Sequence, residues 1–452
     1  MGTMKRLIGC AASLLLLARM CPAGEAPVRA AHTSDPVLER LVAEALMKNP
    51  DVAVSQGAAE AANFRIAPAR TLPDPFLSLN YQNDGKQFTL GTRDMTFLGA
   101  MISQPLPWPG KLHLAGEIAG SEAKQVESAV LGRSRRAVEA RVRRAYYEWQ
   151  VARALLDLVG ERRSAWRQIE GVVRERYAAG LAVQQDLLRA QVEILRLDEE
   201  SALKTAALAA RLADLNRAVG RPQDSPIENA KPLELDASIP ELSRILDAVR
   251  EESPELAGEE AGIAADRFRV DLAKKDFLPD FVASAGPMYR GGLDPMWQVG
   301  LGISLPIYSG SRQRNRLRGA QAALRSVQAQ LASTGQELEL RTRERYETLK
   351  GVFLAAQIYR DGVIPVDQLS LESALASYRT GKIPFITVLD ALNSLYADRS
   401  NLLTHLANAE KLRVAIDEAD LAATAEMSSA PGLAAGANPM AGSSAGSTGP
   451  MR

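Results

Sequence analysis

Cysteine is almost missing from this chain of 452 residues: only Cys10 and Cys21 occur, both near the N-terminus. A mature chain cut beyond them would hold none, which excludes a disulfide framework and a CxxC metal site. His32, His113 and His405 are isolated, without HxxxH or HExxH spacing, so no histidine metal centre is indicated. There is no Walker loop, no GxSxG and no cysteine nucleophile, so neither an enzyme nor a cofactor is expected. Aromatic residues make up only 5% of the chain, thin for a globular enzyme of this size. Net charge is +0, from 54 basic and 54 acidic residues, and the two signs are interleaved, so no nucleic-acid partner is implied. The arginine-rich segment 132–144 alternates with apolar residues and reads as a solvated helix face. Beyond the leader no segment approaches the ~20 apolar residues of a membrane helix. Any membrane crossing must use strands.

The start itself carries Lys5 and Arg6 and then an apolar run over 7–18. That run is too short to span a bilayer and fits a secretory signal over 1–23, with cleavage near Ala23 or Ala30. Cys21 is an alternative lipidated first residue, although Arg19 and Met20 before it suit a lipoprotein signal poorly.

What the chain does have is a duplication. ERYAAGLAVQQDLLRA (175–190) finds its partner in LASYRTGKIPFITVLDAL (375–392). Each carries a tyrosine three positions before a glycine, Tyr177 with Gly180 and Tyr378 with Gly381. Glycine accepts the left-handed backbone that ends a helix, so each copy reads as a bend between two helices. The two glycines lie 201 positions apart, as do Pro105 and Pro306 in ISQPLPWPGK and ISLPIYSGSR. Pro50 and Pro254 lie 204 apart in LVAEALMKNPDVAV and ILDAVREESPELAG, and Pro73 and Pro279 lie 206 apart in LPDPFLSL and LPDFVASA. So long a period is not a solenoid repeat of 20–50 residues. It divides the chain into halves, 35–219 and 240–419.

Each half opens with two short helices. Strands follow, alternating in polarity with period 2, as hairpins over 76–104 and 281–305. In 297–305, Trp297, Val299, Leu301 and Ile303 share one face, and Gly300, Gly302 and Ser304 share the other. A proline-free helix then covers 111–176, and its counterpart covers 312–377. About 65 residues at ~1.5 Å rise give roughly 100 Å, far beyond the usual ~11 residues. Returning helices span 183–219 and 385–419, the first stopped by Gly220 and Pro222. The Ala-, Gly- and Ser-rich tail, 424–452, is expected to be disordered. Four strands cannot close a barrel, for which about eight are needed, and edges left open in lipid need pairing. Oligomerisation answers this, since three chains supply twelve strands. A small soluble antiparallel sheet is the alternative.

From about 35 to 419 the chain resembles the TolC-type outer membrane efflux proteins, in the branch serving heavy-metal and drug pumps of the resistance-nodulation-division class. The duplicated halves, QPLPWPGK, LPIYSG and the two glycine bends carry the resemblance. It implies a mixed, mainly α fold in which long antiparallel helices build a coiled-coil barrel. Four β-strands per protomer would join a twelve-stranded outer membrane β-barrel in a homotrimer. It also implies a periplasmic adaptor and an inner-membrane pump as partners, outer membrane lipid around Trp297, Val299, Leu301 and Ile303, and a Gram-negative outer membrane location with a periplasmic extension. The bends would form the periplasmic tip, shaped by Tyr177, Gly180, Tyr378 and Gly381. Asp390 stands where family members carry an aperture acid, and Thr387 where some carry a second. Asp186 and Arg189 occupy the corresponding first-half places. Asp390 or Asp186 pairing with Arg189 would hold the tip shut; as solvated helix-end charges these residues would contribute little. Export of metals or drugs is the leading reading, and type I protein secretion or a lumen-less periplasmic coiled coil the alternatives. Met288 and Met296 flank the second outer loop. Methionine suits soft Cu(I) or Ag(I), but packing is the commoner role for such a pair.

Overall fold

A computed structural model describes residues 35–90, 93–227, 231–234 and 239–419. The leader with Cys21, and the tail, lie outside the described residues. Each half begins with a capped helix pair. Helix α1, Pro36–Lys48, is capped by Asp35, and α2, Pro50–Phe64, by Asn49, whose side chain accepts from the Asp51 amide. Asn49 also donates to the carbonyl of Ala218 at 3.0 Å, tying the start of the half to its end. A short α3, Ile66–Arg70, follows. In the second half α7, Leu242–Glu252, and α8, Pro254–Lys275, repeat the pattern, with Ser253 as cap. Proline sits in the first turn of α1, α2 and α8, where its missing N–H would have no helical partner.

Strands β1, Phe76–Gln82, and β2, Phe97–Leu106, come from the first half; β3, Asp280–Arg290, and β4, Leu293–Ser304, come from the second. They form one antiparallel sheet in the order β1-β2-β3-β4. The joint between halves is the β2–β3 ladder, running from Leu98 opposite Tyr289 to Leu106 opposite Phe281. β1 and β4 are both edges, without a further strand among the described residues.

The long helices are α5, Arg133–Ala178, and α9, Arg312–Ile358, of 46 and 47 residues. Helix α4, Lys111–Val126, enters α5 through a π turn at Glu127–Gly132. Helix α9 enters α10, Ile364–Arg379, through another at Tyr359–Val363. The single helices expected over 111–176 and 312–377 are thus continuous but each locally rewound. The first π turn is wedged: Leu131 is buried, and a Cβ at Gly258 of α8 would lie 2.6 Å from that of Ala129. The second buries no residue, although the Tyr359 ring lies tilted against His405 at 5.4 Å. Returning helices are α6, Gln184–Val219, and α11, Phe385–Glu418. Along the layer, α6 packs on α5, α5 on α11, and α11 on α9 and α10, which leaves α6 and α9–α10 as edges.

Three apolar clusters hold the layer. One joins α1, α5 and the end of α6; another joins α7, α9 and the end of α11; the third lies beneath the bends. Two nearly enclosed arginines run between them, Arg143 on Glu39 and Glu139 at 3.0 and 2.9 Å, and Arg413 on Glu410 at 2.9 Å. Removing one member of such a pair would strand a buried charge, the costly case.

Candidate functional site at the paired bends

Both bends are Schellman turns. Gly180 has φ of 72°; its amide reaches the Tyr177 carbonyl at 2.9 Å, and Leu181 reaches Arg176 at 2.8 Å. Gly381 has φ of 74°; its amide reaches Tyr378 at 2.9 Å, and Lys382 reaches Ser377 at 3.0 Å. These are the 5→2 and 6→1 bonds that satisfy the last helix carbonyls when one residue turns left-handed. A side chain at either glycine would be strained in that backbone.

The side chains diverge. Tyr177 is 43% exposed whereas Tyr378 is 3% exposed. Tyr378 packs on Phe385 at 5.5 Å, which meets Trp166 edge-on at 6.3 Å. Arg176 lies over the Tyr378 ring at 4.8 Å, a cation–π distance. Its guanidinium donates to the carbonyls of Tyr378 at 2.6 Å, Arg379 at 2.5 Å and Leu181 at 2.9 Å. One first-half side chain therefore caps the end of α10 and clasps the turn after α5. Arg176 was not among the residues singled out from sequence. Its signal was a basic residue in the last turn of α5, where cations suit helix carbonyls, but the second half places Ser377 there and the duplication hides it.

Asp186 on α6 is half-buried and faces the enclosed Tyr378 hydroxyl, close but outside ordinary hydrogen-bond geometry. Burial raises its pKa; Arg189, the Tyr378 hydroxyl and Arg176 pull the other way. The Tyr378 hydroxyl is likewise raised, by burial and by the Asp186 charge. Arg189, Thr387 and Asp390 are all exposed. Within one chain no ion pair joins Asp186 or Asp390 to Arg189 among the described residues; the contact between the two bends runs through Arg176 and Tyr378. No cluster of His, Cys, Asp or Glu able to hold a metal occurs among the described residues.

At the opposite end Trp297, Val299, Leu301 and Ile303 stand on one face of β4, and Trp297 is 76% exposed. The registers put Leu77, Leu79 and Ile102 on that same face, all exposed. No helix among the described residues is long and apolar enough to cross a membrane.

The outer membrane efflux protein model matches residues 41–221 and 245–420. The chain belongs to that family. The probable outer membrane lipoprotein SilC of Salmonella typhimurium is 24% identical over 398 residues, 82% of each chain. The cobalt-zinc-cadmium resistance protein CzcC of Cupriavidus metallidurans is 24% identical over 356 residues, 78% of this chain and 82% of that one. Protein CyaE of Bordetella pertussis is 28% identical over 200 residues, but that match spans only 42% of CyaE. Among solved structures, VceC of Vibrio cholerae superposes with a TM-score of 0.69 at 20% identity, over 85% of this chain and 96% of VceC. CusC gives 0.68 at 19% identity, over 85% and 92%. The fold is that of the outer membrane efflux channels.

Proposed function

We propose that the chain is the exit duct of a tripartite efflux system, a homotrimer in the outer membrane that passes metal ions or drugs from an inner-membrane pump through a periplasmic adaptor. The observation that carries this reading is a four-stranded sheet with two open edges and an exposed apolar face. Lipid tolerates strands only when every edge is paired, and three copies joined β4 to β1 make twelve strands. The helical layer has matching edges. Leu188, Val192, Leu195 and Leu203 form an exposed stripe on α6, and Leu354, Ile358, Val366 and Leu369 form one on α9–α10. Different patches on the two edges fit a head-to-tail ring.

In this reading the duct performs no chemistry. Tyr177, Gly180, Tyr378 and Gly381 shape its periplasmic tip, where the adaptor engages. Arg176 and Tyr378 hold the two bends of each chain together. Arg189, Thr387 and Asp390 line the aperture where copies meet. SilC and CzcC by their names favour metals, while other relatives are named for toluene or antibiotic efflux. A deletion strain grown on graded copper, silver, zinc, cobalt and cadmium salts, dyes, bile salts and antibiotics tests the reading. Sensitivity to one class supports export and names the cargo. Full tolerance with an exported protein missing from the medium would replace efflux by secretion.

A further inference from the structure

The polar face of the sheet carries an unassigned cluster. Met288 stands directly opposite Met296 in the β3–β4 ladder, so both side chains leave the same face. Met288 is also opposite Gly99 of β2, and Met101 lies two residues on, hence again on that face. Neighbouring strands lie about 4.7–4.9 Å apart and directly opposite Cβ atoms about 4.5–5.5 Å apart, with diagonal neighbours in reach of long side chains. Glycine occupies the intervening places. Gly99 sits beside Met288, whose Cγ would be 3.7 Å from a Cβ there, and a Cβ at Gly286 would come 2.8 Å from the Met101 Cα. At Gly99 no side chain stands between Met288 and β1, and at Gly286 the missing side chain lets β2 and β3 approach closely. Met288 is 7% exposed and Met296 42%, so the cluster runs from an enclosed sulfur to an open one. Its neighbours on this face are the neutral amides Asn80 and Gln298 and, two residues beyond Met288, Arg290, whose guanidinium is turned to the Asp94 carbonyl at 2.7 Å.

We propose that Met101, Met288 and Met296 form a thioether site for a soft monovalent cation, Cu(I) or Ag(I), on the polar face of the sheet. Neutral, polarizable sulfur selects such ions over Zn(II) or Co(II), which favour imidazole and oxygen. Without a carboxylate in the set, binding is weak and reversible, as a site passed in transit requires. The transit role rests on this face being the inner wall of the duct; the binding itself does not.

The test uses the full processed chain in detergent, without oxygen, with Cu(I) delivered as its bicinchoninate complex. One Cu(I) per chain is expected, with a sulfur-only shell in X-ray absorption. The double variant Met288→Leu/Met296→Leu keeps the packing volume and removes two ligands. It should bind at least about 10- to 100-fold more weakly, the loss that follows removal of only an outer-shell partner of a metal ligand. Replacing Met427, Met440 and Met451 of the tail by leucine should leave binding unchanged. Equal binding by wild type and double variant, or a nitrogen and oxygen shell, would overturn the site and leave the three residues as packing. Cu(I) bound at the site in a chain whose deletion causes no export defect would count against the duct alone.

Discussion

At Gly180 and at Gly381 the chain makes one turn twice, 201 residues apart, with φ of 72° and 74°. Yet Tyr177 stands in solvent and Tyr378 is enclosed. Arg176 reaches across from the first bend to carbonyls of the second, and Ser377 in the matching place reaches nothing comparable among the described residues. The backbone is shared because a Schellman turn asks only for one residue that accepts positive φ. The side chains differ because Tyr378, at the end of α10, turns onto Phe385 of α11 and under Arg176, whereas Tyr177, at the end of α5, turns outward. The π turns divide the halves the same way, since the first is packed against α2 and α8 and the second buries nothing. A duplicated chain keeps its local geometry and lets position in the layer reassign each copy's side chains.

The largest effect expected from this asymmetry is at the tyrosines. Tyr378→Ala should loosen its hairpin by about 3–5 kcal/mol, the range for deleting a buried aromatic. Tyr177→Ala should stay within about 0.5 kcal/mol. Hydrogen exchange of amides in 374–392 reads both, and similar losses would break the comparison. Next comes Arg176→Ala, which strips the charged donor from three carbonyls. Hydrogen bonds to charged groups are worth about 1.5–3 kcal/mol, so the two bends should part more often and, on the proposal that they form the tip, single-channel conductance in planar bilayers should rise. An unchanged closed state would mean that Arg176 is only a helix cap.

The glycines test what the two bends share. Gly180→Ala and Gly381→Ala should each cost about 1–2 kcal/mol for left-handed backbone. The costs should be similar, because a Cβ at Gly381 would meet Arg176 Nη2 only in ordinary contact at 3.4 Å and one at Gly180 would meet open space. A much larger fall in urea midpoint for one variant than for the other would break the shared turn. A first-half tether should show itself in acid. The hydrogen bond from Arg221 holds the Glu44 carboxyl at about 2 instead of 4.5, and Ala248 takes Glu44's place in the second half. A depressed carboxylate contributes stability above its ordinary value and loses it as pH falls toward the folded one. Glu44→Gln should therefore flatten the fall in Tm between pH 4.5 and 2, and an unchanged acid limb would refute the tether. The smallest energetic effect belongs to Asp390→Ala, an exposed charge worth about 0–1 kcal/mol. Even so, its loss should raise conductance if the aperture acids of three chains face one another. Identical conductance would remove Asp390 from the gate.

Much of the fold was legible because period and punctuation are local. Alternation from Leu77 to Tyr81 and from Trp297 to Ile303 marked strands, and those strands are found at Phe76–Gln82 and Leu293–Ser304. Strand β2 runs past the expected stop, because Pro105 can pair with Val282 at the mouth of the sheet while Gln104 takes the neighbouring bonds. The π turns escaped notice because their extra residue leaves helical spacing intact on either side. At the bends, Gly180 and Gly381 were readable from φ alone. Arg176 was not, because its partners lie about 200 residues away.

The order of residues by itself determined two halves, the placement of strands and long helices, and the glycine turns, since each depends on propensity within a few neighbours. Only tertiary structure decided which tyrosine is buried, that one arginine serves both bends, and that three methionines share one face. Those outcomes depend on which elements pack side by side, and a register fixed by a ladder or a helix interface joins residues that no local spacing connects.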